Sequence, residues 1–195
     1  MSTTRRTGSR SRATVLRRHG VRALMAGATV AAAAAASLFA VAGPAHAAAG
    51  VSVSAPLLQI TADAAADAIT VTQVGGRLVV RNDGGLLFPG AGCTATAKNV
   101  SVCDADGVTT IVADTGAGND TLTNRTTLRS RVVLGAGSDQ FFGGTATDQA
   151  AGEAGDDRLA GHAGDDVLIG GDGTDSANGG DGADKCDAET VTLCE

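Results

Sequence analysis

The chain has 195 residues and a formal net charge of −6, but this average combines two regions of opposite charge. Residues 1–47 hold seven Arg and no acidic side chain, whereas residues 48–195 hold 8 basic and 21 acidic side chains, a formal charge of −13. The second region has no Trp, no Tyr and few Phe, so its charge and composition argue against nucleic acid as a partner.

Residues 1–47 have the organisation of a secretory signal peptide. A basic segment ends at Arg22, residues 23–42 form a continuous apolar run, and Ala45-His46-Ala47 is a cleavage site of the Ala-x-Ala type. The alternative is an uncleaved membrane anchor, since the run is nearly long enough to span a bilayer. Its alanine-rich composition is only weakly hydrophobic, so we expect cleavage, secretion by the general or the twin-arginine route, and no stable membrane insertion.

Residues 48–114 predict an irregular, β-rich N-terminal region. The sequence ITVTQV, followed by Gly75-Gly76 and RLVVRN, predicts a hairpin with a two-residue glycine turn. The segment ADAAADAIT (62–70) fits the nine-residue frame described below, with Ala in place of Gly, and is interpreted as a degenerate coil with Asp67 at the sixth place. Gly84 to Cys93 is expected to be a loop because of its glycines and proline, and residues 108–113 are expected to be a strand.

A nine-residue unit recurs in a constant frame from Gly143 to Asp187: GGTATDQAA, GEAGDDRLA, GHAGDDVLI, GGDGTDSAN and GGDGADKCD. The same frame fits residues 134–142 and 115–123, and a degenerate segment, 124–133, separates these two units. Every unit carries aspartate at its sixth place: Asp120, Asp139, Asp148, Asp157, Asp166, Asp175 and Asp184.

The composition of the unit predicts its local structure. Glycines in the first four places favour a tight turn over the first six residues, and the last three residues suit a very short strand. Side chains alternate along a strand, so the eighth place points inward. Two such units would form one coil of an all-β, parallel solenoid with a thin core. The eighth place is held by Leu122, Phe141, Ala150, Leu159, Leu168, Ala177 and Cys186.

These units resemble the RTX family, whose Gly-Gly-x-Gly-x-Asp-x-(apolar)-x repeats form a calcium-binding parallel β-roll. The resemblance implies a roll over 115–187, preceded by a β-rich region (48–114) and followed by a C-terminal cap (188–195). It implies Ca²⁺ between turns two repeats apart, with oxygen ligands from the seven aspartates and from turn carbonyl groups. The implied pairs are Asp120 with Asp139, Asp139 with Asp157, and Asp157 with Asp175 on one edge, and Asp148 with Asp166 and Asp166 with Asp184 on the other.

Two departures from the family pattern reduce the expected binding. Ala146 occupies a fourth place where the family has Gly, so weaker binding is expected around Asp148, and no calcium is expected at residues 124–133, which contain neither Gly nor an acid. Flexible, oxygen-rich turns suit Ca²⁺ better than Mg²⁺, and transition metals lack their usual His or Cys clusters. The alternative is a solvated, disordered Gly/Asp tract, but such a tract has no reason to keep its frame over seven units.

All four cysteines, Cys93, Cys103, Cys186 and Cys194, follow the predicted cleavage site, so disulfide bonds are expected. Three pairings are compatible with four cysteines, and the sequence does not choose between them. We favour the local pairs, Cys93 with Cys103 and Cys186 with Cys194. The second pair would cover the open C-terminal end of the roll.

The sequence offers few candidates for catalysis. His162 is the only histidine after residue 47, and it stands at the second place of a repeat, where a turn substitution is the simpler explanation. No nucleophile elbow, phosphate loop or zinc-protease motif occurs. We therefore expect a secreted, non-enzymatic calcium-binding protein with no indicated partner besides calcium ions. The alternatives are an extracellular matrix or cell-surface structural or adhesive protein that uses the roll as a spacer, and a small hydrolase built on the roll.

Overall fold

The structure is a computed structural model and describes residues 47–194. The predicted signal peptide, except for Ala47, therefore lies outside the described residues. The described part consists of strands in two sheets, and none of its segments is a helix long and apolar enough to cross a membrane.

The N-terminal half contributes nine strands: β1 (Ala48–Ser54), β2 (Leu57–Ala62), β3 (Ala68–Val74), β4 (Arg77–Asn82), β5 (Leu86–Pro89), β6 (Cys93–Ala97), β7 (Val100–Asp104), β8 (Thr110–Asp114) and β9 (Thr121–Arg125). Four of them, β2, β3, β8 and β9, begin the parallel stack. The C-terminal half continues the stack with β10 (Arg129–Ala136), β11 (Gln140–Phe142), β12 (Asp148–Ala154), β13 (Arg158–Ala163), β14 (Val167–Asp172), β15 (Ser176–Asp181), β16 (Lys185–Asp187) and β17 (Thr190–Thr192).

Alternate strands of the repeat region enter alternate sheets, as the repeat parity predicted. One sheet has the order β16-β14-β12-β10-β8-β2-β1-β5, and the other has the order β17-β15-β13-β11-β9-β3-β4-β7-β6. Neighbouring strands pair in parallel from β2 to β16 in the first sheet and from β3 to β17 in the second. Leu159 of β13, for example, pairs with Phe141 on one side and Ala177 on the other. The coils form a parallel β-solenoid of about five turns.

Most strands of the repeats are longer than the expected three residues. β13 begins at the seventh place of one unit and continues through the third place of the next, where His162 pairs with Gly180 of β15. The extended part of β13 is hydrogen-bonded to β15 of the neighbouring coil. The sequence of a single unit therefore does not predict this extension. β11 and β16 are the exceptions, because each has three residues and ends at the ninth place of its unit, at Phe142 and at Asp187.

The core is a narrow layer of buried side chains between the two sheets. The eighth-place residues Leu122, Phe141 and Leu168 are fully buried, as the side-chain alternation predicted, while Cys186 at the C-terminal end is only partly buried. Each fully buried Leu or Phe side chain contributes about 1.5 to 3 kcal/mol relative to an exposed one. A thin core of this kind therefore leaves little stability to offset buried charge.

Part of the N-terminal region continues the parallel stack, and its antiparallel strands cover the N-terminal end of that stack. The segment 62–70 does form a coil in the repeat frame: Asp67 and Ile69 are each 1% exposed, and β3 pairs in parallel with β9. The glycine hairpin is also confirmed, since β3 and β4 are antiparallel and Gly75 and Gly76 have φ of 56° and 74°.

The expectation of a loop from Gly84 to Cys93 was wrong in part. Leu86–Pro89 forms β5, which pairs in parallel with β1. Leu87 is 3% exposed in the core cluster. The burial of this side chain outweighs the local turn signal of the surrounding glycines and proline.

Both favoured cysteine pairs are present as disulfides. Cys93 and Cys103 join β6 to β7, and Cys186 and Cys194 link β16 to the end of the described chain. No cysteine of the described part is free.

Candidate metal centre

The sixth-place aspartates lie in two columns, one on each edge of the roll, and all of them are buried. Within a column, the backbone amide of each aspartate donates a hydrogen bond to Oδ1 of the aspartate one coil further on. Examples are Asp139 to Asp157 at 2.8 Å and Asp166 to Asp184 at 2.8 Å. The first column contains Asp67, Asp120, Asp139, Asp157 and Asp175, and the second contains Asp148, Asp166 and Asp184.

The structure therefore brings together every pair that the repeat frame implied. The remaining bonds of the ladder, Asp120 to Asp139, Asp157 to Asp175 and Asp148 to Asp166, measure between 2.7 and 2.9 Å. These contacts hold the coils in register. The assignment of the aspartates as calcium ligands stays a prediction.

The second carboxylate oxygen distinguishes most of these aspartates from ordinary buried acids. Oδ2 is buried and has no hydrogen-bond donor in five of the predicted ligands: Asp120, Asp139, Asp157, Asp166 and Asp184. In the units that begin with glycine, those of Asp157, Asp166 and Asp184, this oxygen faces the first-place glycine, and a Cβ atom built on Gly161 would overlap Oδ2 of Asp166. Glycine at this place therefore leaves the space into which the oxygen points.

The aspartate carboxyl groups are electrostatically disfavoured as anions in this environment. Burial raises the pKa of Asp120, Asp157 and Asp166 to about 6, and the charges of neighbouring aspartates add to the pKa increase, while backbone amide donors oppose it. Burial also raises the pKa of Asp139. A buried carboxylate without a compensating partner is costly, so these groups require either a proton or a cation.

The donor set fits a hard cation. The buried atoms on offer are carboxylate oxygens, and the turns of successive coils stack so closely that a Cβ atom on Gly155 would overlap the carbonyl oxygen of Gly137. Within residues 47–194, no three side chains of His, Cys, Asp or Glu converge on one point. Two carboxylates supplemented by backbone carbonyl oxygens are ligands of the kind that Ca²⁺ accepts in its flexible coordination shell.

Asp148 differs from the other aspartates because hydrogen bonds already satisfy it. Its Oδ1 accepts from the amide of Ser130 at 2.7 Å, and its Oδ2 accepts from the amide of Gly144 at 2.7 Å. The turn before it has Ala146 at the fourth place and no residue with positive φ between 143 and 148, unlike the turns whose fourth place is glycine. Ser130, in register with Asp148 on the degenerate segment, supplies a hydroxyl where other coils supply a carboxylate.

Two residues outside the repeat frame close the first column. Asn82, fully buried, donates from Nδ2 to Oδ1 of Asp67 and accepts from the amides of Ala68 and Gly84 at 3.1 Å each. At the other end, the amide of Asp175 donates to Oε2 of Glu189 at 2.8 Å. Asn82 and Glu189 could not be recognised from the sequence as contacts of this column, because neither lies in a repeating pattern.

The acids at the fifth place have a different role from those at the sixth. Asp156 and Asp165 are exposed, and their Oδ1 atoms accept from the amides of Thr174 at 2.9 Å and Ala183 at 3.0 Å in the next coil. His162 is exposed with φ of 73°, and Glu153 has φ of 77° at the same place of the preceding unit. These positions agree with the interpretation of His162 as a turn substitution.

Comparison with known proteins supports the repeat assignment. Residues 151–186 match a family model described as the RTX calcium-binding nonapeptide repeat, in four copies. A search of curated proteins found no match, and a search of solved structures found none either. The resemblance noted from the sequence is thus confirmed for the matched residues, and the parallel solenoid agrees with it.

Proposed function

We propose that this chain, which carries RTX calcium-binding nonapeptide repeats in a β-solenoid, is an exported protein that binds Ca²⁺ between its turns and folds on binding. The observation that carries the proposal is the repeated, buried carboxylate oxygen without a donor, found on both edges of the roll. A single such oxygen would be a local anomaly. Its recurrence along two columns supports a series of cation sites.

The first column would hold Ca²⁺ through Asp120, Asp139, Asp157 and Asp175, and the second through Asp166 and Asp184, with carbonyl oxygens of the turns. Bound Ca²⁺ would supply the positive charge that the buried carboxylates lack. The chain itself orients each carboxylate, because the amide of the preceding coil fixes Oδ1 and directs Oδ2 towards the turn. Asp148 is excluded from the strong sites, since two backbone amides already bind it.

Calcium binding would promote folding because it neutralises the stacked aspartate charges. Residues 48–195 carry a formal charge of −13, and the columns stack like charges one coil apart. Repulsion and desolvation disfavour the metal-free roll, and the binding free energy of the metal becomes folding free energy. Extracellular calcium modules bind at about 10⁻⁴ to 10⁻³ M, so the chain would stay unfolded during export and fold outside the cell. The signal-peptide pattern and the two disulfides support this location.

We also propose that the protein is not an enzyme. His162, the one histidine of residues 48–195, is exposed at the second place of a repeat, and its ring lies beside that of Phe142. A spacer or adhesive role is the second candidate. The amide-to-carboxylate ladder and its end contacts at Asn82 and Glu189 favour it, because these hydrogen bonds can hold the coils in register without an ion.

Far-ultraviolet circular dichroism of the mature chain, titrated with Ca²⁺ and with Mg²⁺ in parallel, tests the proposal. We expect a cooperative gain of β signal with Ca²⁺ alone. A chain that is fully folded in chelator and indifferent to both ions would contradict calcium-driven folding and favour the spacer role.

Matched double variants test the ligand assignment. Asp157→Asn with Asp166→Asn removes one buried charge from each column, whereas Asp156→Asn with Asp165→Asn removes the exposed charge next to each of them. Calcium stoichiometry measured by calorimetry should fall in the first variant and stay unchanged in the second. Equal stoichiometry in both would overturn the assignment.

A further inference from the structure

An open cleft of about 1000 Å³ lies along the second sheet, and none of the aspartates of the two columns lines it. It lies where the degenerate segment interrupts the repeat frame, and it crosses the neighbouring strands β3, β9, β11 and β13. Its volume is in the range of sites that bind small ligands. The side chains that give it chemical character are those of Gln73, Thr123, Arg125, Thr127, Phe142 and His162.

One wall of the cleft is held by its own hydrogen bonds. Oδ1 of Asn124 accepts from the amide of Thr126 at 3.0 Å and from its hydroxyl at 2.7 Å, and Nδ2 of Asn124 donates to the carbonyl oxygen of Leu128 at 2.8 Å. Asn124 and Thr126 are 2% and 5% exposed. The opposite turn packs directly against this wall, since a Cβ atom on Gly144 would contact the carbonyl oxygen of Thr126. A preformed wall lowers the entropic cost of binding a ligand.

The floor of the cleft is a pair of rings. The ring centroids of Phe142 and His162 lie 6.4 Å apart with planes inclined by 28°. Phe142 is partly exposed and His162 is exposed, although residues 48–195 contain no Trp, no Tyr and only two other Phe. Of those two, Phe141 is in the core and Phe88 is on β5. Two of the four ring side chains of this region thus form one accessible platform.

The rim of the cleft is polar and carries a cation. Gln73, Thr123 and Thr127 offer uncharged donors and acceptors. Arg125 is exposed, forms no ion pair with the described residues, and is joined in the cleft by no lysine or acid of that part of the chain. Arg125 is the one cationic side chain among the described residues that line the cleft. Its planar guanidinium group is suited to a carboxylate.

We infer that this cleft binds a saccharide that bears a carboxylate, such as a uronic acid unit of an extracellular polysaccharide. The C–H face of the sugar ring packs on Phe142 and His162, because this face is apolar and matches an aromatic platform in size. Arg125 binds the carboxylate with charge-assisted hydrogen bonds. Gln73, Thr123 and Thr127 bind hydroxyl groups. The cleft belongs to the folded chain, so the inference does not depend on calcium as the cause of folding.

Calorimetry with two trisaccharides tests the inference, using the chain purified after export and a fixed, saturating calcium concentration. Trigalacturonate carries carboxylates, and galactotriose is its neutral counterpart. We expect trigalacturonate to bind at least about tenfold more tightly than galactotriose, the order of magnitude of a charge-assisted contact. Arg125→Gln should reduce trigalacturonate affinity to the neutral level, and Phe142→Ala should weaken both sugars.

Two control variants isolate the cleft. Arg158→Gln removes an exposed arginine from the adjacent strand β13, and Phe88→Ala removes a 52% exposed phenylalanine from β5. Both should bind the sugars as the unmodified chain does. Circular dichroism on each variant checks the fold, and Arg125→Gln keeps the test valid if Phe142→Ala does not fold.

Three outcomes would overturn the inference. The first is no binding of either trisaccharide, and the second is equal binding by the unmodified chain and by Arg125→Gln and Phe142→Ala. The third is binding that is lost in Asp157→Asn with Asp166→Asn but kept in Phe142→Ala, because the sugar would then be held by calcium at the columns. Sugar binding by a chain that does not respond to calcium would contradict the proposed function alone.

Discussion

The amide of Asp139 donates to Oδ1 of Asp157 at 2.8 Å, while Oδ2 of the same Asp157 carboxylate is buried without a donor. The two oxygens therefore have separate roles. One fixes the register of neighbouring coils, and the other is available to a cation. Substitutions that affect only one of these roles can distinguish a structural aspartate from a metal ligand.

Replacement of Asp157 by Asn or by Ala separates the two roles. Asn keeps an oxygen that can accept from the amide of Asp139 but removes the charge, whereas Ala removes both. At one fixed calcium concentration, we expect Asp157→Ala to be less stable than Asp157→Asn by about 1 kcal/mol, the net value of one hydrogen bond. In calcium both should lose part of the calcium-induced stabilisation. Urea denaturation over a range of calcium concentrations measures these differences, and an undiminished calcium effect in Asp157→Asn would contradict the ligand role.

The raised aspartate pKa values predict an unusual pH dependence without metal. Asp120, Asp157 and Asp166 have a pKa of about 6 in the folded chain against a reference value of 3.8. The folded state binds these protons more tightly than the unfolded state, so their contribution to stability is fully present below about pH 3.8 and is lost as the pH rises through about 6. In chelator, the folded fraction of the chain should therefore decrease from about pH 4.5 to about pH 7.5.

Calcium should reverse this trend, because it binds the deprotonated carboxylates and competes with protons. The calcium affinity is expected to fall as the pH drops through about 6. Far-ultraviolet circular dichroism at both pH values, in calcium and in chelator, provides the measurement. A metal-free chain that becomes more stable between about pH 4.5 and pH 7.5 would show that the buried aspartates do not control folding.

The Ala146 turn predicts a gain of function by a single substitution. Ala146 disfavours the positive φ that glycine adopts at the equivalent place of other units, such as Gly164 with φ of 125°. The resulting turn directs the amide of Gly144 to Oδ2 of Asp148. Ala146→Gly should allow the turn of the other units, release that oxygen, and add one calcium ion to the stoichiometry measured by calorimetry.

A matched control for this substitution is Ala154→Gly, which adds a glycine at the third place of the next unit, where the family pattern does not require one. It should leave the calcium stoichiometry unchanged. If Ala146→Gly binds no more calcium than the unmodified chain, the turn conformation is not what removes Asp148 from the strong sites.

Much of the roll could be predicted because its period converts directly into geometry. Side chains alternate along a strand, so a fixed nine-residue frame places Leu122 and Leu168 in the core and stacks Asp139 on Asp157. The frame even identified the coil around Asp67, where alanines replace the glycines. The nine-residue period was therefore sufficient to predict both the fold of the roll and the pairing of the candidate ligands.

Features that depend on contacts between non-repeating segments could not be predicted. Leu87 is buried because β5 pairs with β1, which precedes it by more than thirty residues, and no local pattern encodes that pairing. Among the described residues, Asp67 is the first aspartate of its column and Asn82 contacts it from outside the repeat frame, so the role of Asn82 follows only from the end of the stack. The proposed sugar cleft lies at the degenerate segment 124–133. The repeat pattern shows that this segment departs from the frame but does not predict the structure that it forms.

The disulfide between Cys186 and Cys194 is expected to stabilise the C-terminal end of the roll. It closes a short loop around β16 and β17, and such a loop is worth about 2 to 3 kcal/mol by constraint of the unfolded chain. Replacement of both cysteines by serine should increase hydrogen exchange in β17 far more than in β13. Replacement of Cys93 and Cys103 should instead affect β6 and β7, and equal exchange changes in both double variants would contradict a local capping role.

The end of the first column predicts a large effect for one uncharged residue. Asn82 is fully buried, donates to Asp67 and to the carbonyl oxygen of Leu86, and accepts from two backbone amides. Asn82→Ala leaves these groups unsatisfied in the interior and should lower the free energy of unfolding by about 2 to 4 kcal/mol. Asn178→Ala, at an exposed position of β15, should change it by less than about 0.5 kcal/mol. Urea denaturation in calcium compares the two. Similar stability for both variants would mean that the stack needs no cap at Asp67, and that the calcium-bound coils alone maintain the N-terminal end.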